Sequence, residues 1–346
     1  MKTIIKIFTV LFLAGTVNFA YAHDEYTRVI KKEFSVNADA QLTIDNSFGK
    51  VHCNNWDKNI VQIEVTITVE AANENSAGKL FDKISIIING SASQIDAKTI
   101  IQKGGFNNTG HKIDYTINMP TSINLDISNK FGNIYINELG GKGRINLGYG
   151  NMEAGKFSNS DNSIDIKFGN ANVKSIKGAV VNLKYSQMDL GYAGSLRLDS
   201  KYSNLDAEKV ISLVMNFEGG KLNLENGSVI DGKSKFSDLS ITRLEQTLSL
   251  DIQYGNCDID EMPAGFTSIS IKNKYGNVDI GVHSTASYTL DAELKFCDLD
   301  FPEEKANITQ RIVANASKSY KANVGKEATP SSKVFIRSEF GNVSLE

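Results

Sequence analysis

The stretch Leu248-Ser249-Leu250-Asp251-Ile252-Gln253-Tyr254-Gly255-Asn256-Cys257-Asp258-Ile259-Asp260 decides how this chain reads. Up to Tyr254 it alternates, with Leu248, Leu250, Ile252 and Tyr254 on one side and Ser249, Asp251 and Gln253 on the other. That is the period of a strand with one buried face. Beyond Gly255-Asn256 the alternation resumes one residue out of phase, Cys257 and Ile259 being apolar and Asp258 polar. Glycine and asparagine tolerate backbone angles that other residues avoid, so the slip marks a corner between two strands.

The same phrase recurs along the chain. Clear copies are Lys130-Phe131-Gly132-Asn133-Ile134-Tyr135-Ile136, Lys167-Phe168-Gly169-Asn170-Ala171-Asn172-Val173 and Lys274-Tyr275-Gly276-Asn277-Val278-Asp279-Ile280. Aromatic slots fall at Phe131, Tyr149, Phe168, Tyr185, Tyr202, Phe236, Tyr254, Tyr275 and Phe296, with outlying copies at Phe48 and Phe340. The one double interval, Tyr202 to Phe236, has Gly219 at its centre. A fixed period of this length signals a repeat architecture. The predicted fold is therefore all-β: a single-stranded parallel β-helix, a solenoid of about 12 coils, right-handed by the chirality of parallel crossovers, with an N-terminal β-rich cap. The aromatic slot continues the buried alternation and is expected to point inward, with Phe217 filling the void at Gly219.

Equivalent residues one coil apart would stack ~4.8 Å apart. The corner Asn or Asp (Asn133, Asn151, Asn170, Asn204, Asp238, Asn256, Asn277) then forms a ladder that bonds its equivalents and the turn backbone. Two charged rows follow: Lys130, Lys167, Lys184, Lys201, Lys235, Lys274 and Lys295 before the corner, and Asp189, Asp206, Asp258, Asp279 and Asp300 after it. The consecutive trio Asp258, Asp279 and Asp300 is the candidate binding site, for a cation or sugar hydroxyls, against the plainer reading of a solvated face. No metal site, cofactor or catalytic residue is predicted. The Gly-Gly-x-Gly-x-Asp calcium pattern, nucleotide loops and zinc motifs are all absent.

The chain opens with the layout of a secretion signal. Lys2 and Lys6 precede an apolar run from Ile7 to Gly15, and Ala20-Tyr21-Ala22 places cleavage between Ala22 and His23. Cleavage leaves 324 of the 346 residues and takes the formal charge from −3 to −5. A weakly acidic chain excludes nucleic acid as a partner, and no later segment is apolar for long enough to be an integral membrane helix. The expected organisation is a signal peptide at 1–22, a strand-rich cap and first coil at 23–125, β-helix repeats at 126–302, and a C-terminal insertion and last coil at 303–346. Of three cysteines, Cys53 and Cys257 fall at inward positions and Cys297 replaces the corner glycine, so Cys297 is the reachable thiol. His23, His52, His111 and His283 are scattered and form no triad.

The quoted copies, the signal peptide and the Trp56-Asp57-Lys58 segment leading into a long alternating strand resemble the exported "putative adhesin" family of unknown function. Auto-transporter adhesin head domains share this style of repeat. The resemblance spans nearly the whole mature chain. It implies a parallel β-helix, a location in the bacterial cell envelope (periplasm, cell surface or secreted), and no catalytic residues to carry over. The expected function is a non-catalytic interaction module whose partner is an envelope protein or polysaccharide. The alternatives are a polysaccharide-active β-helix lyase or hydrolase, and an envelope stress or regulatory component.

Overall fold

The structure, a computed structural model, describes residues 24–102 and 110–346. The predicted signal peptide and the expected Ala22–His23 cleavage point lie outside the described residues. Among those described, the chain is all-β. Its strands form a single mixed sheet with free edges, accompanied by one short helix, Glu74–Phe81, and a 3-10 turn, Glu303–Lys305. No helix of the described residues is long and apolar enough to cross a membrane.

The alternation read from sequence sets the buried rows. Leu248, Leu250 and Ile252, and after the corner Cys257 and Ile259, are all buried. Strands before the corner pair in parallel with their equivalents one repeat on. Asn124–Lys130 lies against Gly143–Gly148, which lies against Asn162–Lys167, which lies against the second half of Asn170–Lys184. Gln187–Lys201 and the 50-residue run Asn204–Gln253 continue the series to Ser268–Lys274. Strands after the corner form a second parallel series, from Val51–Asn55 through Ile134–Leu139 and Asn151–Phe157 to Cys257–Met262 and Val278–Val282. Each buried Leu, Ile or Val contributes roughly 1.5–3 kcal/mol on these inner faces.

The sheet is mixed rather than purely parallel because both ends carry antiparallel strands. At one end His111–Met119 pairs in parallel with Val51–Asn55 and antiparallel with Ile60–Ala71, which is followed by Asp24–Ser35. At the other, the hairpin Ala306–Val313/Ser317–Val324 lies antiparallel against Tyr288–Lys295. Chain order and spatial order part company at this end. Ser332–Glu339 sits between Ser268–Lys274 and Tyr288–Lys295, parallel to both. The final repeat is thus an inserted layer, not the outermost one.

The aromatic slots do not point inward. Among the described residues, eleven non-glycine residues have positive φ, between 51° and 62°, and all eleven are the slot aromatics. The left-handed φ ends the alternation and turns each ring out to solvent, leaving every slot aromatic exposed. Gly219 takes the same conformation (φ 70°), so no interior void arises there. Phe217 is buried for its own reason, as a large residue in an inward row between Ser200 and Ser234.

Candidate binding surface

A bulky residue in the left-handed region costs roughly 1–2 kcal/mol, so eleven of them need a return. They obtain it from one another. Phe48, Phe131, Tyr149, Phe168, Tyr185 and Tyr202 stack face to face with centroids 4.8–5.3 Å apart and planes within 16°. Beyond Gly219 the stack resumes as Phe236, Tyr254, Tyr275, Phe340 and Phe296, at 4.9–5.0 Å and within 17°. Each such pair contributes about 0.5–1.5 kcal/mol beyond its buried area. The rings cover each other's faces and present their edges to water along one corner.

The residue after each ring is held close to the preceding repeat. A Cβ on Gly276 would lie 1.8 Å from the Gly255 carbonyl oxygen, and one on Gly169 would lie 1.9 Å from that of Gly150. Where serine takes this place its hydroxyl turns inward and donates to the carbonyl two residues back, Ser186 to Lys184 and Ser203 to Lys201, both at 2.8 Å. The next residue carries the expected amide ladder. Asn133 Oδ1 accepts from Asn151 N (2.9 Å), Asn204 Oδ1 from Lys221 N (3.0 Å), Asn256 Oδ1 from Asn277 N (3.1 Å) and Asn277 Oδ1 from Asn342 N (3.1 Å).

On the other flank lies the lysine row. Lys167, Lys184 and Lys201 are direct cross-strand neighbours, while Glu218 stands beside Lys201 and Glu339 between Lys274 and Lys295. Lys274 bonds Glu339 at 3.1 Å, and that bond holds its ammonium above the usual lysine range. Lys184, Lys235 and Lys274 place their ammonium groups 5.2–5.8 Å from the adjacent ring centroids, within reach of a cation–π attraction.

The predicted aspartate trio is only partly brought together. Asp258 and Asp279 are cross-strand neighbours, but Ser344 separates Asp279 from Asp300. Burial, then the charges of Asp279, Asp238 and Asp260, raise the Asp258 carboxyl above its ordinary range. No group of three His, Cys, Asp or Glu among the described residues has a metal-holding arrangement. The aspartates that line a depression are the earlier ones. Asp189 and Asp206, with Glu208, Glu225 and Lys174, border a hollow of about 480 Å³. A second hollow of about 860 Å³, bordered by His52, Tyr135 and Glu153, shares Asn172 and Lys174 with it. Sequence reasoning missed this groove, since alternation tells which side a residue faces and not whether that side is concave.

Cys53 and Cys257 are fully buried, and burial alone pushes the Cys53 thiol up to about 12. Cys297 is half-buried and donates to the Ser338 carbonyl at 3.4 Å.

No family model and no curated relative matches this chain. Among solved structures, it overlaps with a "putative cell adhesion protein" from Clostridium sporogenes at 10% identity and TM-score 0.20, covering 93% of this chain and 99% of the other. A "putative adhesin" from Bacteroides fragilis overlaps at 10% identity and TM-score 0.26, covering 92% and 97%. A "putative lipid binding protein" from Parabacteroides distasonis does so at 12% identity and TM-score 0.25, covering 93% and 97%. Overlaps at these TM-scores establish neither fold family nor function, so the surface itself has to carry the functional reading.

Proposed function

We propose that the mature chain is an exported parallel β-helix rod of the bacterial cell envelope that binds an envelope polymer, without catalysis, along its aromatic corner. The β-helix reading is supported by parallel pairing of successive repeats, as at Lys167 with Lys184 and Gln253 with Lys274. The observation that carries the functional reading is the outward ladder. Eleven rings are held in an unfavourable backbone conformation on the surface, where burying them would have served stability better. Large exposed apolar surface rimmed by polar groups is the usual mark of an interaction site.

The test is co-sedimentation of the purified mature protein with an insoluble bacterial envelope fraction. The wild type should pellet with it at micromolar protein, and a variant with Tyr149, Phe168 and Tyr185 replaced by serine, checked for folding by circular dichroism, should stay in the supernatant. A wild type that never pellets, or a triple variant that pellets as well as the wild type, overturns the reading.

A further inference from the structure

The ladder has one missing rung, and the surface beside it differs from every other corner. Tyr202 donates its backbone N–H to Glu218 O at 2.8 Å, which places Gly219 in the next ring position. Gly232 packs on the Met215 carbonyl seventeen residues back, so Phe236 lies one repeat beyond Gly219. Tyr202 and Phe236 therefore face each other across two repeat spacings, about 10 Å, the room of one intervening ring. Their exposures agree: 57% and 55%, exceeded in the ladder only by the terminal Phe296 at 62%. Gly219 itself is buried, and a Cβ at 219 would lie 2.9 Å from the Cδ1 of the Tyr202 ring.

An independent feature lies alongside. A depression of about 480 Å³ runs up to Tyr202 and Asn204, bordered by Phe168 and Tyr185 and by the amides of Asn151, Asn170 and Gln187. The amide ladder is interrupted along this stretch. The backbone N–H of Gln187 goes to Gly169 O (3.2 Å) and that of Asn204 to Ser186 O (3.0 Å), in place of an asparagine side chain. The side-chain amides of Asn151 and Asn170 are left with no hydrogen bond among the described residues. Asn204 at the trough's end, and Asn133, Asn256 and Asn277 elsewhere, use theirs within the fold.

We propose that this is an oligosaccharide site, with one pyranose ring inserted between Tyr202 and Phe236 at the missing rung and the adjoining sugars lying along the amide trough. The proposal rests on the functional reading above and gives it a ligand class. A pyranose has apolar C–H faces that suit two aromatic faces and an equator of hydroxyls that donate and accept. An amide side chain also does both. A lipid chain would leave the amides unused, and the residues that line the trough carry no charge to hold a charged polymer.

The test begins with an array of diverse bacterial and plant oligosaccharides, followed by titration of the strongest ligand by saturation-transfer NMR. Gly219→Tyr fills the rung in a conformation that aromatic residues hold at eleven other corners, and should weaken binding by about tenfold or more. Asn170→Ala, exposed and remote from the core, should weaken it severalfold, and Lys79→Ala, exposed on the helix Glu74–Phe81 away from the corner, should not. Equal thermal unfolding of the variants and wild type secures the comparison. An array without ligands, or a Gly219→Tyr protein that binds as tightly as the wild type, overturns the proposal. So does a slot that takes 4-methylphenol or a tyrosine peptide but no saccharide. In any of these cases envelope co-sedimentation that survives Gly219→Tyr leaves the broader function standing.

Discussion

At the scale of single residues, the corner aromatic balances two opposed terms, and two substitutions separate them. Tyr185 stacks on Phe168 at 5.2 Å and on Tyr202 at 5.3 Å, with φ at 51°. Alanine removes both ring contacts and keeps the strained backbone, whereas glycine removes the same contacts but relieves the strain. Tyr185→Ala should therefore destabilise by about 1–3 kcal/mol and Tyr185→Gly by about 1–2 kcal/mol less, as read by urea unfolding. If alanine and glycine behave alike, the φ angle is not what the ring offsets. Phe217 presents the converse case. It is fully buried between Ser200 and Ser234, neither large enough to fill its space, and both serine hydroxyls lack a partner. Phe217→Ala should lose about 3–5 kcal/mol, near the upper end for a core truncation. The direction of the aromatic slot could not be read from sequence. Alternation carries Tyr254 inward after Ile252, and only the sign of φ, invisible to a hydrophobic pattern, reverses it.

At the scale of elements, the repeat, its corner and its buried rows were legible, because each strand announces itself by alternation and each corner by a phase slip. The position of the last repeat was not. Ser332–Glu339 has the same pattern as any other strand, and a periodic sequence says nothing about which two layers a given copy lies between. Its insertion between Ser268–Lys274 and Tyr288–Lys295 has a mechanical consequence. Residues 332–346 bond the layers on either side, so removing them strips partners from both and cuts the link to the terminal hairpin. A chain truncated after Thr329 should lose amide protection in hydrogen exchange at the alternate residues of both Ser268–Lys274 and Tyr288–Lys295 that face Ser332–Glu339. Were this the outermost layer, protection would fall on one neighbouring strand alone, and that outcome would contradict the two-sided pairing of Ser332–Glu339.

At the scale of the whole molecule, stacking aligns charge as well as apolar surface, and this limits what a charged row can mean. Like charges one repeat apart repel by about 1 kcal/mol or less in water, which makes a row of lysines or aspartates tolerable without making it a site. The candidate aspartates were legible as a row, but not their fate, since Ser344 enters between Asp279 and Asp300 through the inserted layer. What remains at Asp258 is a carboxyl raised above its ordinary value of 3.8, first by burial and then by Asp279, Asp238 and Asp260. A raised carboxylate pKa means that the folded state holds its proton more tightly than the unfolded chain. The favourable contribution is fully present below the unfolded value and is lost as pH rises through the folded one. Asp258→Asn should therefore raise the melting temperature at pH 7, by about one degree given how solvent screens so exposed a group. The gain should shrink as pH falls and vanish below pH 3.8, where both states carry the proton. Melting curves of the two proteins at pH 7, 5 and 3.5 read this directly. A substitution that destabilises at pH 7 would mean instead that the Asp258 carboxylate is held by a favourable partner and that its row binds a cation after all.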